Sequence, residues 1–346
     1  MNLNNNTTNL DIFNFSLPQK NIAQNPKSTR SSSKLLVIDR KTHNLTDDKF
    51  ENIDKYLTEN DLLIINDTKV IPARLYGKKE KTLGKVEIFF ERAINKNKFY
   101  CQIKSTRKLA INSIIIIDNK IKLKVEENNE ILCIIRSEDI EVGQLFQKFG
   151  VLPLPPYIRR KPNKNDENYY QTIFAKKDGS VAAPTAALHF DEKIKMKIQR
   201  KGIQISNITL HIGMGTFSPI KTNNIDEHKM HSEFFCVPKD TLRHIEKCKK
   251  NNGKVIAVGT TVARALESFF SYRCKAEIFQ ETDIFIKPGY KFKVVDSIIT
   301  NFHLPKSTLL IMIAAFYDIN NLLGAYDHAI KNNYKFFSYG DSTLVL

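Results

Sequence analysis

The sequence contains no CxxC pair. Its cysteines, Cys101, Cys133, Cys236, Cys248 and Cys274, are scattered and odd in number. That excludes a zinc-ribbon arrangement and a disulfide framework, and it fits a reducing compartment. The Asn/Thr-rich opening residues lack the apolar core of a secretory signal. The longest purely apolar helical run, residues 309–316, is too short to span a bilayer. HExxH is absent, no block of Lys or Arg dominates, and no internal repeat is visible. These absences lead to the expectation of a cytoplasmic protein with no membrane association and no metal.

What is present is length, apolar content and positive charge. The 346 residues, 42% apolar, suit two domains or one large one. A net charge of +16 implies a polyanionic partner, RNA or DNA before membrane. The chain is rich in Lys, Asn and Ile throughout, so part of this charge is compositional.

Residues 1–9 read as a disordered leader. Apolar strands follow at 35–39 and 62–66. From 67 to 150 the pattern becomes many short strands with turn residues between them. KIKLKV, residues 120–125, alternates strictly, so one face is buried and one is wet. This stretch predicts a small inserted all-β barrel domain. LPLPPY, residues 152–157, is rigid and extended because each proline fixes its own φ and disfavours helix before it. It marks a boundary, and Arg159, Arg160 and Lys161 follow at once. Beyond it strand and helix alternate, which predicts an α/β layer with a mixed, largely parallel sheet and flanking helices. The α/β domain is thus discontinuous, 10–66 and 151–346.

The stretch VVDSIITNFHLPKSTLLIMIAAF, residues 294–316, reads as strand, polar loop and buried helix, with Ser307 as N-cap. In open α/β sheets ligands bind beyond the carboxyl ends of strands. Asn301, Phe302, His303 and Lys306 in that loop are therefore site candidates, although an ordinary βα turn carries similar residues. Three other loops share this character. GSVAAPTAALHF, residues 179–190, is rich in small residues that let backbone approach a ligand, and it offers Ser180, Thr185 and His189. TLHIGMGTF, residues 209–217, places His211, Gly213, Gly215, Thr216 and Phe217 after a strand; Ser218 stands where a dinucleotide fingerprint needs glycine. VGTT, residues 258–261, opens a helix whose free N–H groups, with Thr260 and Thr261, favour an anion, and Arg264 adds charge. His228 and His231 with Glu233 have no evident third metal ligand and read as a surface pair.

Taken together and in order, these motifs with HKMHSE, TDIFIKPGYKF, FFSYGD, LPLPPYIRR and NDTKVIPARLYG resemble one family over residues 10–346: the S-adenosylmethionine:tRNA ribosyltransferase-isomerases of queuosine biosynthesis. Ala187 departs from the family's GLHF element, and Lys34 stands where an arginine is usual. The resemblance implies that S-adenosylmethionine is a consumed co-substrate. Its ribosyl part is transferred to 7-aminomethyl-7-deazaguanine at the tRNA wobble position and rearranged, giving epoxyqueuosine-tRNA, adenine and methionine. It also implies an α/β domain with an inserted β-barrel.

That chemistry needs a base for the C–H beside the sulfonium. Histidine suits the task, and His303, His211, His231 and His189 lie on loops, with His303 favoured. Phe217 and Phe302 are candidates for the sulfonium's aromatic face. Thr260, Thr261 or Lys306 suit the methionine carboxylate. Arg159, Arg160 and Lys161 suit phosphates of a tRNA anticodon stem-loop, met by a monomer. The alternatives are an S-adenosylmethionine-dependent RNA methyltransferase and a non-catalytic RNA-binding protein.

Overall fold

The computed structural model describes residues 8–129, 132–217 and 219–346; of Met214 and Phe217 only the backbone is described. Of the expected leader, residues 1–7 lie outside the described residues. Thr8 and Asn9 are tied down: Ile225 N donates to Thr8 O at 2.8 Å, and Asn9 bridges Asn224.

β1 (Lys34–Ile38) and β2 (Leu45–Lys49) form a hairpin. β3 (Leu62–Asn66) is buried along its whole length, as LLIIN requires, and β4 (Thr68–Val70) follows. Six strands then close into a barrel: β5 (Arg74–Lys79), β6 (Lys85–Asn95), β7 (Lys98–Ser105), β8 (Ile114–Ile117), β9 (Ile121–Asn128) and β10 (Cys133–Ser137), in the order β10-β7-β6-β5-β8-β9. β9 explains the alternation seen in the sequence, since Leu123 and Val125 are buried inside the barrel while Lys122 and Lys124 are not. The helix α1 (Val142–Phe149) packs Phe146 edge-on against Phe90 and Phe99. Gly150 leads to Val151, which exchanges two backbone hydrogen bonds with Arg74 where the chain leaves the barrel.

The second half supplies α2 (Lys164–Tyr169), β11 (Lys177–Ser180), α3 (Glu192–Arg200), β12 (Gln204–Leu210), β13 (Glu233–Cys236), α4 (Lys239–Lys250), β14 (Val255–Val258), α5 (Thr260–Ser271), β15 (Gln280–Thr282), β16 (Ser297–Asn301), α6 (Thr308–Phe316), α7 (Ile319–Lys331) and β17 (Ser342–Val345). The large sheet runs β15-β13-β12-β3-β14-β16-β17-β1-β2. The expected class holds: a mixed sheet, flanking helices and a closed barrel. Parallel pairing is concentrated at the centre, in β12-β3-β14-β16, with β17-β1 the other parallel pair. The remaining pairs are antiparallel, because β2, β13, β15 and β17 return along their neighbours. Apolar residues of α4 to α7 cover one face, and α3 with the turns around 50–56 and 185–189 covers the other. Among the described residues no single helix is long and apolar enough to cross a membrane, and α6 and α7 meet at 114°. The four central parallel strands end at one edge, and the candidate site lies beyond their carboxyl ends.

Candidate active site

A cavity of about 340 Å³ opens at that edge. Most of its wall comes from four places, residues 182–186, 259–261, 300–309 and 337–338; Pro156, Tyr157, Tyr170, Ile212, Thr216, Pro219 and Arg264 complete it. All four loops marked from the sequence thus meet in one space, the 209–217 loop through Ile212 and Thr216.

Each loop has a local reason for its shape. β14 ends at Gly259, whose φ of 100° is strained for a residue with a Cβ, and the chain turns there directly into α5. No side chain caps α5, so its first N–H groups are left for a ligand or water. Gly259 N donates to Ile299 O at 2.8 Å, which holds this turn against β16.

β16 ends at Asn301, whose amide is fixed on three sides. Thr185 Oγ1 donates to Oδ1 at 2.9 Å, and Nδ2 donates to Phe337 O at 3.2 Å and to His189 Nε2 at 3.0 Å. His189 therefore carries its proton on Nδ1, which faces Ser33 Oγ at 2.8 Å. His189 does not line the cavity; it holds Asn301 from behind. Ser180 is also buried away from the cavity. Its hydroxyl donates to Ala182 O at 2.7 Å and accepts from Ile212 N at 3.0 Å, pinning the small-residue loop to the end of β12.

Phe302 follows Asn301 and turns into an aromatic cluster with Tyr326, Tyr334 and Phe336. His303 lines the cavity and is 8% exposed. Its Nε2 lies 2.9 Å from Thr300 Oγ1, and its backbone N donates to the Tyr326 hydroxyl. Burial pushes the His303 pKa down to about 3, and burial lowers that of His189 to about 4. Lys306 lines the cavity too, but its ammonium bonds Asp11 at 2.6 Å. Ser307 caps α6 as expected, accepting from Leu310 N.

The two low histidine pKa values predict a stability profile. Both groups sit below their unfolded value of about 6.5, so their contribution is complete above pH 6.5. It is lost as pH falls through 6.5 toward 4 for His189 and toward 3 for His303, because the unfolded chain takes up protons that the native state refuses. Between pH 7 and pH 5 each should remove roughly 2 kcal/mol. Chemical denaturation at the two pH values checks this; a loss unaltered in His189→Gln or His303→Gln would contradict it.

The other expected residues are less central. Thr216, Thr260 and Thr261 line the cavity. Gly213 N and Thr216 Oγ1 both donate to Glu233 Oε1, at 3.2 and 3.1 Å. Gly215 must lack a side chain, since a Cβ would stand 2.2 Å from the His231 ring. His231 itself is exposed and outside the cavity, and the Phe217 side chain lies outside the described residues. His211 bonds Thr68 Oγ1 at 2.8 Å and stacks on Phe279, also outside the cavity. Among the described residues no three His, Cys, Asp or Glu side chains converge as a metal site.

Sequence reasoning passed over several residues. Asn66 ties three elements together: its side chain bonds Leu210 N and O, Thr68 N and Thr261 Oγ1. The signal was a polar Asn-Asp-Thr closing a buried strand. Tyr157 and Tyr170 also line the cavity. The Tyr157 hydroxyl meets Ser338 Oγ at 2.6 Å. The Tyr170 hydroxyl lies near Ser338 and Ala183 without closing a hydrogen bond of standard geometry. Of the basic trio, Arg159 and Lys161 are exposed. Arg160 is engaged, with Nη1 and Nη2 on the two oxygens of buried Asp166 and Nε on Gln24 O.

The family model described as "Queuosine biosynthesis protein" matches residues 10–345. The chain belongs to this family. Relatives in the queuosine biosynthesis family include a protein of Sulfurihydrogenibium sp., 47% identical over 97% of this chain and 99% of the relative. A Coxiella burnetii protein is 45% identical, covering 96% and 97%. Both are named S-adenosylmethionine:tRNA ribosyltransferase-isomerase. A crystal structure of S-adenosylmethionine tRNA ribosyltransferase from Thermotoga maritima is 30% identical with a TM-score of 0.56, covering 97% of this chain and 100% of that one. The family's co-substrate is S-adenosylmethionine, and a cavity of this size suits a nucleoside ligand.

Proposed function

We propose that this chain transfers and isomerises the ribosyl moiety of S-adenosylmethionine onto 7-aminomethyl-7-deazaguanine at the wobble position of tRNA, with adenine and methionine as leaving products. The observation that carries this is the cavity at the strand ends. It joins an uncapped helix start, hydroxyl-bearing loops and one imbedded neutral imidazole, in a chain of the queuosine biosynthesis family.

His303 is the proposed base. With Nε2–H donated to Thr300, the Nδ1 lone pair is left for the proton on the ribose C5′, which the adjacent sulfonium acidifies. Burial makes neutral His303 a weak base, so the sulfonium supplies most of the driving force for C5′ deprotonation; the imidazolium formed is a correspondingly strong acid and passes its proton to the departing adenine. Asn301 and Thr185, locked to each other, orient the sugar. Phe302, expected from the sequence to face the sulfonium, is fully buried inside its aromatic cluster and is not assigned that role. The 67–150 unit is proposed as a tRNA-facing insertion, and the protein as a cytoplasmic monomer that receives a splayed anticodon base.

The deciding experiment incubates the protein with S-adenosylmethionine and tRNA bearing the aminomethyl base, then weighs the nucleoside and identifies the small products. Free adenine and methionine with an epoxycyclopentane nucleoside are expected. S-adenosylhomocysteine would indicate methyl transfer instead, and RNA binding without consumption would indicate a non-catalytic protein.

Arg159 and Lys161 are proposed to meet tRNA phosphate. Replacing either with Ala should weaken binding without altering sequence preference, and flatten the salt dependence by about 0.7–0.9 in the log–log slope. Arg160→Ala should behave differently. It leaves Asp166 buried with only Tyr339, Asn163 and neighbouring backbone, so it should cost roughly 3 kcal/mol of stability. Salt-titrated tRNA binding and denaturant melts separate the two outcomes.

A further inference from the structure

Arg264 lies four residues after Thr260 on α5, so the two share one face of the helix. It is 6% exposed, yet it forms part of the cavity wall with Gly259, Thr260 and Thr261. Its Nη1 pairs with Oε2 of Glu233, itself 4% exposed, and its Nε reaches Ile284 O at 3.4 Å. Nη2 is buried with no hydrogen-bond partner. Glu233 cannot serve it further with Oε1, which already accepts from Gly213 N and Thr216 Oγ1.

An unfilled donor on a buried guanidinium is unfavourable, and a guanidinium matches a carboxylate in shape and charge. The uncapped start of α5 independently favours negative charge in the same cavity. Lys306, the other cavity-lining cation considered for an anion, is already paired with Asp11.

We infer that Arg264, with the first N–H groups of α5, binds the carboxylate of the methionine part of S-adenosylmethionine and selects for that amino-acid tail. This rests on the cavity being the S-adenosylmethionine site. The placement is coherent with the chemistry. Only three carbons separate that carboxylate from the sulfonium, and α5 is joined to the 300–303 loop through Gly259 N and Ile299 O. A carboxylate held at α5 leaves the sulfonium and C5′ to reach the wall that holds Asn301 and His303.

The test compares two probes by calorimetry: S-adenosylmethionine, and 5′-deoxy-5′-dimethylsulfonioadenosine, a sulfonium nucleoside with no carboxylate. Arg264→Gln should weaken S-adenosylmethionine binding by about 30-fold or more and change binding of the truncated sulfonium by less than about twofold. Because Arg264→Gln strands Glu233, the pair Arg264→Gln with Glu233→Gln is measured as well. It should show the same selective loss, and Arg264→Lys should recover part of it. Equal weakening of both probes, or intact S-adenosylmethionine binding with weakened tRNA binding, would overturn the assignment. Wild-type protein that binds neither probe would overturn the cavity reading itself, and the Arg264 assignment with it.

Discussion

Replacing His303 with Ala should lower turnover by about 10²- to 10⁴-fold, the usual worth of a positioned general base. S-adenosylmethionine and tRNA binding should persist. Single-turnover rates at saturating tRNA measure the chemical step, and a rate near that of the wild type would sink the assignment. His303→Gln adds a finer test. An amide keeps a hydrogen bond to Thr300 but accepts no proton at neutral pH. If His303 only holds the wall in place, the Gln variant recovers most activity. If it moves a proton, Gln and Ala are similarly inactive. The imidazole is neutral throughout the working range because burial holds its pKa near 3. No activity change between pH 6 and 8 should therefore be traceable to its titration.

The largest effect on stability is expected at the neighbouring residue. Phe302 is fully buried, edge-on to Tyr326 and Tyr334 and tilted on Phe336, with centroid separations of 4.8–5.5 Å. Phe302→Ala removes the ring at the centre of this cluster and leaves a void that surrounding side chains refill only partly. The expected loss is about 3–5 kcal/mol, read from denaturant melts. Tyr326 would also lose a packing partner, and its hydroxyl accepts from His303 N, so activity should fall in the molecules that still fold. Phe302→Leu keeps much of the volume and loses the π face. S-adenosylmethionine binding should be unchanged in the Leu variant, because the fully buried ring turns no face to the cavity.

Much of the candidate site was legible where the signal is local. Residues 294–316 announce a strand, a polar loop and a capped buried helix, and Ser307 caps α6 as its position before an apolar run requires. The strand starts at Ser297 rather than at residue 294, because the Val294 and Val295 N–H groups are taken by Glu267 Oε1 instead of a ladder. Barrel strands were legible from period-2 burial, as in β9. What stayed hidden depends on partners far along the chain. Lys306 reads as a free cation until Asp11, 295 residues away, is folded against it. His189 reads as a ligand until Asn301 turns out to occupy its Nε2. Glu233 reads as part of a surface histidine pair, whereas its burial against Arg264 arises from the meeting of β13 and α5. Arg160 is the exception. Asp166 stands six residues away in sequence, so a local ion pair was available to read.

The position of β17 has a consequence for the order of events during synthesis. This strand is wedged between β16 and β1, and its partner residues Leu35 and Ser342 are more than 300 positions apart. Until residues 342–345 emerge, β1 with β2 has no route into the sheet, and β16 presents an open edge. Residues 337 and 338, which finish the cavity wall, are late as well. The barrel pairs only segments between 74 and 137, so it is free to close while the ribosome is still elongating. Strand pairing thus allows a nascent chain to close its barrel while the α/β layer still has a seam, which is filled by the strand that follows the residues completing the pocket.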